Sequence, residues 1–252
     1  MTKTKTKKTD GAAVTPVDEP TRDIVRPMNG GTELVPVEAV FHVPEVHPRG
    51  AGPWDGEPDK IAWRDRATGL DCIIKRSRAT KCLEGFVGVG PDHPLFRVTP
   101  GALVGLGLQA HGGINYAANC QKNVPERVSV CHTHARRQRV ERSGDGHRVV
   151  SEPLQNAARQ GGSGTKDHDD AWWFGFSCDH ASDLLPNGGQ PEKSRDLPMG
   201  VADRVYRDEA FVYRECVHLA AQLRAIADGV DPESIARTQP AVEMFDLERG
   251  SR

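Results

Sequence analysis

From Trp54 onward the apolar residues of this chain come in short groups punctuated by glycine, proline and polar turns. Only between Val205 and Ile226 do they recur at helical spacing. A chain with one amphipathic helix and several short strands has one economical way to bury both, which is to lay the helix on a sheet. The expected fold is therefore α+β, a small and mostly antiparallel sheet of short strands covered by one long C-terminal helix. Val205, Phe211, Val212, Cys216, Leu219, Leu223 and Ile226 form the helical stripe. Asp203 stands where an N-cap would, and Gly229 where a C-cap glycine would. Lys60–Arg64 and Leu70–Ile74 flank Ala67-Thr68-Gly69 as a hairpin, and Cys82–Val89 is a strand that the two prolines of Gly90-Pro91-Asp92-His93-Pro94 stop. Leu103–Gln109 is a further, glycine-diluted strand candidate, and Val37–Val43 a short one.

The strongest local signal is Trp172-Trp173-Phe174-Gly175-Phe176, too short and too aromatic for a helix, which passes directly into Ser177-Cys178-Asp179-His180-Ala181-Ser182-Asp183. On an extended backbone Cys178 and His180 point to one side, and a turn after His180 returns Asp183 to them. A hydrophobic strand that ends in groups able to bind metal or move protons marks the candidate site. His111, followed by Gly112 and Gly113, is an uncrowded imidazole suited to a ligand or catalytic position, although an exposed turn histidine reads the same way. If His111, Cys178, His180 and Asp183 converge, they offer the ligand types of zinc, and an open coordination position would generate a hydrolytic water. Cys131, in Cys131-His132-Thr133-His134, is a further candidate metal ligand, while Cys120 stands too far away for a Cys-x-x-Cys knuckle. Cys178 could instead be a nucleophile with His111 or His180 as its base. The plainer alternative is a buried Cys178 packed beside Trp172 or Phe176 and a histidine satisfied by a carbonyl.

Composition limits the remaining classes. The chain has 252 residues and a formal charge of −2, which predicts no general attraction to nucleic acid. The arginine-rich stretch from Arg136 to Arg148 has no aromatic residues for base stacking and reads as a solvated loop. Neither Gly85/Gly88/Gly90 nor Gly161–Lys166 has the spacing of a phosphate-binding loop. No membrane span is expected. Six cysteines below scaffold density and a Met-Thr-Lys-Thr start without an apolar core predict reduced thiols and a cytoplasmic location. The expected organisation is a disordered basic and proline-rich tail over 1–50, a single domain over 51–228 with a loop-rich insertion at about 121–165, and a flexible tail over 229–252.

The blocks Gly85-Phe86-Val87-Gly88-Val89 with His93-Pro94-Leu95, His111-Gly112-Gly113, Trp172–Phe176 with Cys178, His180 and Asp183, and Tyr206-Arg207-Asp208 with Tyr213 together resemble a family of uncharacterised proteins from actinobacteria and their bacteriophages. The resemblance spans about residues 60–226 and implies a bacterial host cytoplasm, but no activity. Ser177 stands where that pattern has an acidic residue, and the 121–165 stretch is expanded.

Two functions follow as expectations. One is a small hydrolase, metal-centred or Cys/His-assisted, acting on a polar small molecule, phosphorylated compounds included. The other is a phage-type protein that sequesters a nucleotide-like ligand without catalysis, with Trp172, Trp173 and Asn115 as contacts. Beside these two functions stands the plainer alternative of a structural zinc-binding or interaction protein.

Overall fold

The computed structural model describes residues 20–121, 123–131, 171–186 and 204–237. Its strands are β1 (Thr21–Met28), β2 (Glu33–Phe41), β3 (Lys60–Arg64), β4 (Asp71–Arg76), β5 (Leu83–Val89), β6 (Tyr116–Asn119) and β7 (Trp172–Ser177), and its helix is α1 (Glu209–Ala227). The strands form one seven-stranded sheet in the order β1-β2-β3-β4-β5-β7-β6. Every pairing in it is antiparallel. This is the α+β arrangement that the sequence predicts, and the Ala67-Thr68-Gly69 hairpin joins β3 to β4. Asp65 closes that turn by accepting bonds from the Thr68 N–H and hydroxyl.

Three expectations about the secondary-structure elements are corrected. The first concerns the tail expected over 1–50, because residues 21–41 are β1 and β2 of the sheet. β1 has no apolar face to announce it; its exposure alternates along the strand. Arg26 clamps Glu209 through Nη2 and Nε, at 2.7 and 3.2 Å, and Arg22 pairs with Glu126 at 3.1 Å. Pro27 is tolerated because β1 is the outermost strand, and Pro36 because β2 begins pairing with β3 only at Val37. Second, Leu103–Gln109 is not a strand but a 3-10 turn over Pro100–Leu103 followed by irregular chain. Third, α1 starts later than expected: Asp208 caps it by accepting the Phe211 N–H at 2.8 Å, and Val205 lies outside it. Asp203, the run from His132 to Asp170 and the first nineteen residues lie outside the described residues.

Both faces of the sheet are covered. On one side Val212, Cys216, Leu219 and Leu223 of α1 pack across Ile61, Trp63, Ile74, Val87, Phe174 and Phe176. On the other, Phe86, Ile73, Ala62 and Trp173 are capped by Val43, Val46 and Val130 from loops. Two glycines set the spacing. An ideal Cβ on Gly85 would lie 2.4 Å from the Phe176 ring and 2.6 Å from the Cys216 sulfur, so α1 approaches β5 only because Gly85 has no side chain. One residue pair along and on the opposite face, Phe86 covers Gly175 in the same way. Each glycine is thus filled by the phenylalanine of the neighbouring strand.

Cys120 and Cys131 are joined by a disulfide across eleven residues, which corrects the expectation of six reduced thiols; the other four cysteines are free and buried. The disulfide closes a loop whose Glu126 and Cys131 carbonyls accept from the ammonium of Lys60, a wholly buried lysine at the start of β3. A second buried polar knot joins Arg76 of β4 to Asp59 at 2.8 Å and Glu57 at 3.0 Å. Glu57 also accepts from the Tyr206 hydroxyl and the Glu209 N–H. These bonds fix the segment that enters α1, and with it Arg207.

Candidate functional site

β7 ends at Ser177, and the chain turns back on itself through a backbone bond from Asp183 N–H to the His180 carbonyl at 2.9 Å. The Asp183 carboxylate in turn accepts the His180 N–H at 2.9 Å. A short bridge between Asp183 and Val205 then anchors this turn to the chain leading into α1. The turn expected after His180 therefore forms, and it places Asp183, with no exposed surface, at the centre of the cluster.

Three donors converge on that carboxylate. His111 Nε2 lies 2.8 Å from Oδ2, the His180 N–H shares the same oxygen, and Arg207 Nε donates to Oδ1 at 2.8 Å. Burial alone would raise the carboxyl above its ordinary value. The bonds from His111, Arg207 and the His180 N–H outweigh it, and the group is held below that value, as a carboxylate. His111 is itself packed edge-on against His180, with ring centroids 5.2 Å apart, and against Phe211 at 5.1 Å. The Arg207 guanidinium lies over the Phe211 ring at 4.7 Å. The His111 side chain keeps 15 % of its surface exposed, and its Nδ1 has no hydrogen-bond partner among the described residues.

Gly112 is required here twice over. Its φ of +66° is left-handed, and a Cβ on it would lie 1.8 Å from His180 Nε2. His180 Nε2 is thereby pressed against the Gly112 backbone, buried and without a partner among the described residues.

The structure separates the remaining predicted residues. Cys178 is 3 % exposed and belongs to the core beneath α1. Burial pushes its thiol well above the ordinary value, with the Asp183 charge adding to the effect, so it is a poor source of thiolate. Cys131 is committed to the disulfide. Among the described residues no three His, Cys, Asp or Glu side chains are gathered where they could hold a metal ion. Trp173 is wholly buried and cannot touch a ligand, while Trp172 is half-buried and its indole N–H donates to the Val98 carbonyl at 3.0 Å. Asn115 is exposed and donates to the Ser177 hydroxyl at 2.6 Å, which donates in turn to Asp179 at 2.6 Å.

Sequence reasoning gave Arg207 and Phe211 no place in the site, Phe211 counting only as part of the helical stripe. Arg207 precedes the helix among several arginines, and nothing local distinguishes the one that reaches Asp183. Among the described residues no helix is long and apolar enough to cross a membrane. No known protein family, curated protein or solved structure matches the chain.

Proposed function

We propose that the protein is a small hydrolase of polar small molecules in which the His111 imidazole is the acid–base group and Asp183 its orienting partner. The supporting observation is the 2.8 Å bond from His111 Nε2 to a fully buried carboxylate that is held ionised. With Nε2 committed to Asp183, that nitrogen carries the N–H of the neutral ring and Nδ1 is left as the basic nitrogen. Nδ1 accepts a proton from a water or substrate hydroxyl, and the imidazolium formed is stabilised by Asp183 across the same bond. Arg207 and the His180 N–H keep Asp183 from taking the proton itself, and His180 and Phe211 fix the ring from its sides.

Imidazole chemistry is favoured over the metal-centred and cysteine versions for two reasons. His180 Nε2 faces the Gly112 backbone, with no space for a metal about 2 Å away, and the Cys178 thiol is buried.

The test is hydrolysis of a panel of chromogenic small esters and phosphate esters by wild type, His111→Gln and Asp183→Asn, with elemental analysis of each preparation. Loss of about 10²–10⁴-fold in kcat with His111→Gln, at unchanged fold, is expected. Wild-type turnover that survives His111→Gln would refute the assignment. Stoichiometric zinc that disappears with His180→Ala would transfer the chemistry to a metal.

A further inference from the structure

The loop that carries His111 also forms the wall of a separate cavity. Its volume is about 440 Å³, within the range of small-molecule sites. Leu103, Val104, Leu108 and Ile114 supply apolar walls, Gln109 contributes to the rim, and Glu233 is the only ionisable residue that lines it among the described residues. Val104, at the mouth of the cavity, is 84 % exposed.

Two features show that this cavity is built rather than incidental. Gln222 of α1, wholly buried, holds the Gln109 backbone from both ends, accepting its N–H and donating to its carbonyl at 2.7 Å each. The loop is thereby pinned at the point where the cavity and the His111 segment diverge. On the opposite wall, Glu233 lies directly over Gly107, where a Cβ would come within 2.4 Å of its Cγ and 2.7 Å of its Oε1. Gly107 has a φ of +72°, so the backbone conformation and the close approach both call for glycine. The carboxylate is thus seated against the cavity wall, and no cation among the described residues lines the cavity beside it.

We infer that this cavity binds a small organic cation with an apolar body, the ammonium against Glu233 and the hydrocarbon against Leu103, Val104, Leu108 and Ile114. A neutral apolar ligand would leave Glu233 unused, and an anion would be repelled by it. The inference stands apart from the acid–base role of His111, and either can fail without the other.

Methyl NMR of the full chain, titrated with benzylamine, benzyl alcohol and benzoate, tests it. Benzylamine is expected to shift the methyls of Leu103, Val104, Leu108 and Ile114, and to bind more tightly than benzyl alcohol and benzoate. Glu233→Gln is expected to weaken benzylamine about fivefold, the range of a partly exposed ion pair, and to leave benzyl alcohol unchanged. Shifts that fall elsewhere, equal binding of benzylamine and benzoate, or a Glu233→Gln protein that binds benzylamine as wild type does would each overturn the inference.

Discussion

Replacing Asp183 by asparagine preserves volume and removes one acceptor and the charge. The introduced carboxamide has two orientations. With its oxygen at the Oδ2 position it still serves His111 and the His180 N–H, and its amide faces Arg207 donor to donor; the reverse orientation sacrifices two bonds instead of one. The first is therefore the state adopted, with Arg207 unpaired and His111 bonded to a neutral acceptor. A lost charge-assisted bond costs about 1.5–3 kcal/mol, and the demoted His111 bond adds to it. Arg207 and His111 keep 21 % and 15 % of their side-chain surface exposed, so water recovers part of the loss. The net destabilisation is about 3 kcal/mol, or roughly 6–12 °C in Tm. Urea unfolding at neutral pH measures it, with the m-value unchanged. Adding Arg207→Met to Asp183→Asn should cost less than the sum of the single changes by at least about 1 kcal/mol. The same asparagine substitution should flatten the acid limb of stability. The wild-type carboxyl titrates below its usual 3.8, so its contribution is present above that value and lost as pH falls through the depressed one. A change below about 0.5 kcal/mol, or strict additivity with Arg207→Met, would refute Asp183 as the anchor of the site.

Gly85→Ala should destabilise by about 3 kcal/mol in denaturant unfolding, since its methyl would enter space held by Phe176 and Cys216. Gly112→Ala should displace the His180 ring, seen as a changed His180 imidazole NMR signal. Reduction of the Cys120–Cys131 disulfide, or its double serine variant, should cost about 3 kcal/mol for an eleven-residue separation, read as a lower urea midpoint. His218 is largely buried, and burial pushes its pKa below the usual 6.5, with Arg237 adding to the shift. The unfolded chain therefore binds more protons, and stability should fall as pH drops below about 6.5. His218→Leu should remove that slope in unfolding curves from pH 7 to 5.

The parts of the fold that sequence reveals are those fixed by neighbours in the chain. The β3–β4 hairpin, β5, β7 and α1 each carry a local pattern of apolar residues with a turn or cap at the end. β1 is obscured because its inward face alternates Arg22 and Arg26, paired with the distant Glu126 and Glu209, with Ile24 and Met28, so no apolar stripe is left to read. β6 is four residues long and offers no period to read. Leu103–Gln109 looks like a strand by composition, but Gly105 and Gly107 adopt positive φ and break it. The site divides in the same way. The return of Asp183 to His180 follows from three-residue spacing, whereas the meeting of His111, Asp183 and Arg207 depends on the finished sheet. Cys120 and Cys131 illustrate the limit, since a separation of eleven residues argues against a Cys-x-x-Cys knuckle but does not announce the disulfide that forms.

The order of the sheet has a kinetic consequence. β1 to β5 form a meander in which each strand pairs with its successor. β7 must then dock on β5 across about 80 residues of chain, which by loop-closure entropy costs about 2 kcal/mol more than closing a hairpin of about six. That one event supplies the strand on which the edge strand β6 pairs, and carries His180 and Asp183 to His111. Assembly should therefore proceed from a fast N-terminal half to a slow closure, with His111, His180 and Asp183 brought together last.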